Sequence, residues 1–263
     1  MSLICVDKEN CNRDGLCAQA CPPGIIRMGE DGFPEVEKGA EDFCISCGHC
    51  VSVCMRGAMS HERLPMENFL PARRVKPEAA GEVAELMRGR RSVREFKDTP
   101  VDRHVLQELL DTARFAPTAT NSQKVGWIMV EDPAATRRLA ELGADWLRGS
   151  NIFPRYVALL DRGRDMILRG APHLVLAHAP ADYAWGAIDC TIAATYLELA
   201  AAAHGLGACW AGLMIRAVAQ HPPAAQALGL PEGRTVHAAL MLGLPKYRYY
   251  LVPPRNKADV SWL

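Results

Sequence analysis

Eight of the ten cysteines in this 263-residue chain fall within its first 54 residues. Seven of them lie in two stretches, "CNRDGLCAQACP" at 11–22 and "CISCGHCVSVCM" at 44–55. The second spaces Cys44, Cys47, Cys50 and Cys54 as C-x2-C-x2-C-x3-C. The first keeps that frame with Cys11, Cys17 and Cys21, but carries Asp14 where the second cysteine would stand. This is the spacing of runs that hold iron–sulfur clusters, in which three thiolates serve one cluster and the fourth cysteine reaches the other. The crossover predicts one [4Fe-4S] cluster on Cys21, Cys44, Cys47 and Cys50. It predicts a second cluster on Cys11, Cys17 and Cys54, with Asp14 at the fourth corner. A lone C-x2-C pair would fit zinc as well, but seven cysteines in two nested motifs exceed what a zinc site needs.

Asp14 has three readings. A carboxylate oxygen can bind iron and complete a [4Fe-4S] cluster with one hard, more exchangeable ligand. The corner can instead be empty, which gives a [3Fe-4S] cluster. Asp14 can also simply form a turn with Gly15, a common turn pair. The first 60 residues resemble the bacterial two-cluster ferredoxins, with two departures: Asp14 for a cysteine, and Met55 for the proline expected after Cys54. His49, inside the second motif, reads as a residue that tunes or shields a cluster. Cys5, Cys190 and Cys209 sit in apolar contexts and read as small buried hydrophobes.

Composition narrows the function classes. Lys+Arg and Asp+Glu balance at 30 each, and the pI is about 7.1. No bulk electrostatic attraction to nucleic acid or to an anionic membrane follows. The start, "MSLICVDKEN", has no apolar leader core. The most apolar stretch, Gly186 to Ile215, is interrupted by Asp189, Glu198 and His204, and reads as a buried helix with its sequel. The expectation is a cytoplasmic protein without a membrane span, where clustered cysteines serve metal or redox chemistry.

The chain divides into a cysteine-rich module (1–62), a proline-containing linker (63–77) and a larger domain (78–263). Within the last, "PEAAGEVAELMRG" and "VDRHVLQELLDTARFA" read as helices, the latter capped by Asp98 or Thr99 with Pro100 in its first turn. "GWIMVED", "HLVLAHA" and "TVHAALMLGLP" read as strands. Residues 133–148 and "AIDCTIAATYLELAAAAHGLG" read as helices. "GLGACWAGL" reads as a small-residue turn whose backbone can approach a ligand closely.

"GRRSVREF" packs Arg90, Arg91, Ser92 and Arg94 after a helix, a set suited to a phosphate because guanidinium gives forked, charge-assisted bonds. Together with "APTATNSQ", "HGLGACWAG", "LGLP" and "PPRNKADVSW", in this order, it resembles the FMN-dependent nitroreductase family over about residues 78–263. That resemblance implies an α+β sandwich, a mixed sheet flanked by helices, and an intertwined homodimer with FMN at the interface. It implies Arg90, Arg91, Ser92 and Arg94 on the FMN phosphate, ribityl and N1/O2 side, and Asn121 and Gln123 reaching the flavin from the partner subunit. Trp210, Ala211 and Gly212 would line the other face, with Arg255 and Lys257 toward the phosphate. No catalytic side chain is implied, because the flavin carries the chemistry.

The combined expectation is a flavoenzyme with its own electron relay. It would reduce a nitroaromatic, quinone or similar conjugated electrophile and take electrons from an external ferredoxin or NAD(P)H. The rival is an electron-transfer or redox-sensing protein that passes electrons to a protein partner. Trp146, Tyr156 and Trp185 could line a substrate pocket, although core packing is the commoner role of aromatics. The tail "KYRYYLVPP" could wrap a partner subunit.

Overall fold

The computed structural model describes residues 2–263 in two compact units. One comprises the residues up to Val75 together with Thr120–Ser122, the other Lys76–Ala119 and Gln123–Leu263.

The smaller unit is built from short elements: β1 (Ile4–Val6), α1 (Leu16–Gln19), β2 (Ile26–Met28), β3 (Pro34–Val36), α2 (His49–Ser52) and β4 (Met59–His61). β1 pairs antiparallel with β4, Ile4 opposite His61, and β2 with β3, Ile26 opposite Val36. Leu3, Ile4, Ile25, Ile26, Val51 and Met59 form its core together with Cys17 and Cys50. Strand alternation turns Cys5 outward, so it is exposed rather than the buried hydrophobe expected.

The two cysteine motifs share one backbone path. Gly15 and Gly48 precede α1 and α2 with φ of 70° and 71°, a left-handed conformation that glycine adopts without steric cost. Arg13 and Ser46 stand just before Asp14 and Cys47 and are also left-handed, at φ 57° and 48°. Side chains at such angles cost roughly 1–2 kcal/mol, so the frame is held by what surrounds it. Within 63–77, Met66–Asn68 makes a short 3-10 turn, and the Phe69 ring lies 3.1 Å from where a Cβ on Gly48 would be.

The larger unit runs α3 (Ala80–Gly89), α4 (Arg103–Ala113), β5 (Gly126–Val130), α5 (Pro133–Gly149), α6 (Pro154–Leu160), β6 (His173–Pro180), α7 (Gly186–Ala203), β7 (Gly207–Trp210), α8 (Gly212–Gln220), α9 (Pro222–Leu228) and β8 (Arg234–Gly243). Its sheet has the order β5-β6-β8-β7 with antiparallel neighbours. A parallel bridge between Ser92 and Ala208 adds the opposite sense at the β7 edge. Alternation along β6 sends Leu174 and Leu176 to one face and Val175 and Ala177 to the other. The first face packs on α5, α8 and α9 through Leu142, Leu147, Met214, Ala217 and Ala224. The second packs on α4 and α7 through Leu106, Leu109, Cys190, Ala194 and Leu197. This is an α+β sandwich with helices on both faces of the sheet. Each fully buried aliphatic side chain contributes about 1.5–3 kcal/mol.

Two local expectations are corrected. α4 starts at Arg103, and its cap is Asp102, whose Oδ1 accepts from His104 N at 2.7 Å, not Asp98 or Thr99. The reason is tertiary: Val101 N donates to the buried His173 Nε2 at 2.8 Å, which holds residues 100–101 out of the helix. "GACW" is not a turn but β7, paired with β8 from Gly207 opposite Gly243 to Trp210 opposite Leu240. Among the described residues, α7 is the one helix long and apolar enough to cross a membrane, and 44% of it is buried inside the protein. Residues 252–263 form no regular element and are exposed.

Candidate functional site

In the smaller unit the structure sorts the motif residues into two cavities. One is lined by Cys11, Asp14, Cys17 and Cys54, the other by Cys21, Cys44, Cys47 and Cys50. Each cavity therefore takes one cysteine from the far motif, Cys54 and Cys21. Apolar walls close them: Val6, Met28 and Met59 around the first, Leu3, Ile4 and Ile26 around the second. Among the described residues no three His, Cys, Asp or Glu stand close enough to share a single ion. The donors are instead spread around two voids.

Burial pushes the Cys50 thiol up to about 11, and neighbouring Cys47, Cys21 and Cys44 add to this. Burial likewise raises Cys17, with Cys11 and Cys54 contributing. Thiols packed this way resist ionising on their own; a cationic metal core reverses that balance. Asp14 does make the turn: its Oδ1 accepts from Leu16 N at 3.0 Å, at the start of α1. The same residue lines the first cavity.

N–H groups point at several of these sulfurs. Cys54 Sγ accepts from Ala58 N at 3.3 Å, and Cys44 Sγ from Ser46 N at 3.4 Å. Cys44 Sγ also lies 3.3 Å from Nε2 of His61, a buried residue of β4. His49, by contrast, lies on α2 and lines neither cavity. The histidine that meets a motif cysteine is thus His61. No ligand spacing marks it, and its only sequence signal is its place in a short strand after the second motif.

In the larger unit, the arginine segment after α3 runs beside β7. Val93 N donates to Ala208 O at 2.9 Å, and a Cβ on Gly207 would come within 2.8 Å of the Val93 side chain. Glycine at 207 is what permits this approach. Arg90 and Arg91 line a cavity of about 330 Å³ with Glu198, Gly205 and Tyr249. Arg90 Nε lies 3.3 Å from Glu198 Oε1, close enough for an ion pair but off the N–H axis. Both Arg90 Nε and Arg91 Nε are buried without a hydrogen-bond partner. Glu198 is 8% exposed; burial raises its pKa, and Arg90 acts in the opposite direction.

Arg94 lines a second cavity, of about 380 Å³, together with Trp210, Ala211 and Gly212. Gly212 begins α8, whose first-turn amides have no partner within the helix. Arg169 and Arg216 also line this cavity, so its wall carries three guanidinium groups and no carboxylate. Phe153 and Tyr156 flank it, their ring centroids 5.6 Å apart. Tyr156 thus belongs to the cavity. Trp146 is in the core, donating to Gln220 Oε1 at 3.1 Å, and Trp185 is 52% exposed rather than packed.

The other expected residues lie elsewhere. Ser92 makes the bridge to Ala208. Asn121, in the smaller unit, donates its amide to Ile45 O at 3.2 Å and Ser46 O at 3.0 Å. Gln123 N donates to Thr118 Oγ1 at 3.0 Å. Arg255 and Lys257 are in the exposed C-terminal segment and line neither cavity.

Residues 87–244 match the Nitroreductase family. The chain belongs to the nitroreductase family. Residues 9–59 match the 4Fe-4S dicluster domain. A protein of Archaeoglobus fulgidus provisionally named NADH dehydrogenase/NAD(P)H nitroreductase is 26% identical over 157 residues, 60% of this chain and 82% of its own. A nitroreductase from Bacteroides fragilis with bound FMN superposes with a TM-score of 0.60 at 23% identity, over 69% of this chain and 98% of that one. At the other end, one component of the Na(+)-translocating ferredoxin:NAD(+) oxidoreductase complex of Acetobacterium woodii is 38% identical over 53 residues, 20% of this chain and 15% of that one. The nitroreductase fold and an iron–sulfur unit thus occupy one chain.

Proposed function

We propose that the protein is an FMN-dependent oxidoreductase that reduces a small conjugated electrophile, a nitroaromatic or quinone, with electrons relayed from its iron–sulfur unit. The observation that carries this reading is the joining, on one chain, of a nitroreductase domain to a unit whose seven motif cysteines divide between two cavities. The residues present fit the two kinds of group. Buried guanidinium nitrogens at Arg90 and Arg91 lack a hydrogen-bond partner, as an anion-binding site requires. Thiols raised by burial beside one another suit a cationic core.

In this reading Arg90 and Arg91 hold the FMN phosphate, with Ser92 beside them, and Arg94 sits at the N1/O2 side. Trp210, Ala211 and Gly212 line a face of the flavin. Asn121 and Gln123 come from the partner subunit of a homodimer, and Arg255 and Lys257 reach toward the phosphate. Cys21, Cys44, Cys47 and Cys50 hold one [4Fe-4S] cluster. Cys11, Cys17, Cys54 and Asp14 hold the second. When bound, FMN supplies two-electron reduction and the clusters one-electron transfer, which lets a one-electron donor serve a two-electron acceptor. The arginine-walled cavity at Trp210–Gly212 favours a small acceptor over a protein partner. The external donor is a ferredoxin or NAD(P)H.

The test is anaerobic purification, assay of FMN and iron, reduction, and rapid mixing with a nitroarene and a quinone. Flavin reoxidation in step with product formation is the expected result. Reoxidation by a protein acceptor alone would refute the enzymatic reading.

A further inference from the structure

Among the described residues, Cys44 is the one motif cysteine whose sulfur meets a side-chain N–H, that of His61 at 3.3 Å. The proton on this imidazole can be placed. Arg63 N donates to His61 Nδ1 at 3.1 Å, so Nδ1 is the acceptor. A neutral imidazole has one acceptor and one donor nitrogen, so the donor is Nε2, which faces Cys44 Sγ. The ring has little freedom. His61 is 6% exposed, its backbone pairs with Ile4 across β1 and β4, and the next amide, Glu62 N, donates to Leu3 O at 2.9 Å.

The two cavities therefore differ. At the second, Cys44 Sγ receives His61 Nε2–H in addition to the Ser46 amide. At the first, Cys54 Sγ receives the Ala58 amide, and an acidic side chain, Asp14, replaces a cysteine. Hydrogen bonds to cluster sulfurs withdraw electron density and favour the reduced state, which carries one more negative charge. We infer that His61 is a potential-setting residue, raising the reduction potential of the cluster on Cys21, Cys44, Cys47 and Cys50 through the hydrogen bond it donates to Cys44 Sγ. No bond or proton is exchanged; the residue acts on an equilibrium. This rests on the two-cluster reading proposed above.

The experiment is a potentiometric titration of the full chain, followed by electron paramagnetic resonance, for the wild type, His61→Phe and His61→Gln. Phenylalanine fills the same space without a donor, whereas the glutamine amide places an N–H near the Nε2 position. His61→Phe is expected to lower one midpoint by about 59 mV, a tenfold change in the reduced-to-oxidised ratio at fixed poise, and to leave the other unmoved. His61→Gln is expected to recover most of the loss. An unmoved midpoint in His61→Phe, equal shifts of both clusters, or a glutamine variant as low as phenylalanine would overturn the inference. A measurement on the native sequence removes dependence on the variants' loading: pulsed resonance of reduced wild-type protein carrying 15N-histidine should show nitrogen coupled to one cluster signal, and its absence refutes the contact. Iron content separates the two failures. About eight irons per chain with no effect of His61 sinks this inference alone, whereas about four or fewer in fully loaded protein sinks the two-cluster reading beneath it.

Discussion

Arg90→Ala should do more than weaken cofactor binding, because Arg90 also compensates a buried charge. Glu198 is 8% exposed and its Oε1 lies 3.3 Å from Arg90 Nε. Removing one partner of a buried pair typically costs about 3–5 kcal/mol, since the remaining charge loses its compensation. The Arg90 side chain is 25% exposed, so water can partly replace it, and the lower end of that range, about 3 kcal/mol, is the expectation. Loss of the proposed phosphate contact should weaken FMN binding by a further ~1.5–3 kcal/mol. The two effects separate by pH and by apoprotein. Burial already raises the Glu198 pKa from its ordinary 4.5, and without Arg90 it rises further. The folded state then binds a proton that the unfolded state gives up, so stability falls as pH climbs above 4.5 through the raised value and is regained on acidification. Urea unfolding of the apoprotein at about pH 5 and about pH 7 should show Arg90→Ala destabilised more at the higher pH. Arg90→Ala/Glu198→Gln should recover much of the loss at neutral pH without recovering FMN. Apoprotein stability unchanged by Arg90→Ala, or a double variant no better than the single one, would refute the idea that Arg90 offsets a buried carboxylate.

Asp14→Cys should reduce exchangeable iron and give the resonance spectrum of an all-thiolate [4Fe-4S] cluster, at a cost of about 1 kcal/mol for the lost carboxylate bond to Leu16 N; identical iron exchange and spectra would show that Asp14 only makes its turn. Gly207→Ala should displace the Val93 segment, because the new methyl would sit 2.8 Å from the Val93 side chain. It should cost about 1–3 kcal/mol and weaken FMN retention, and Val93→Ala in the same chain should restore both, as read by thermal unfolding and flavin content.

What is legible in the sequence differs by element. The cysteine frame is legible because a cluster demands donors at fixed intervals, and the same intervals place Cys21 and Cys54 in the opposite cavities. β6 and α7 are legible from long apolar patterns. β7 is not: four residues beginning with glycine look like a turn, and its identity comes from pairing with β8, which lies beyond all of α8 and α9. The local pattern misplaces the start of α4 because a distant histidine takes the Val101 amide, a contact no local pattern encodes. His61 escapes a spacing argument for a related reason: it touches the motif through the Cys44 sulfur, across 17 residues, so no short spacing announces it. Arg169 and Arg216 reach the Arg94 cavity from separate segments with no shared motif.

The bridge between Ser92 and Ala208 sets an order of assembly. During synthesis the arginine segment emerges early, but the strand that seats it, and β8 behind that strand, emerge only after α4 to α7 have been made. The cysteine unit closes its own outer pair when His61 reaches Ile4, well before that point. Units of a chain tend to fold as they emerge, so the iron–sulfur half should be competent to load metal while the arginine segment is still unanchored. In the proposed reading, nascent chains released after Ser122 and after Lys257 would therefore differ in what they retain: iron alone in the first, and the capacity to bind flavin only once the second is reached.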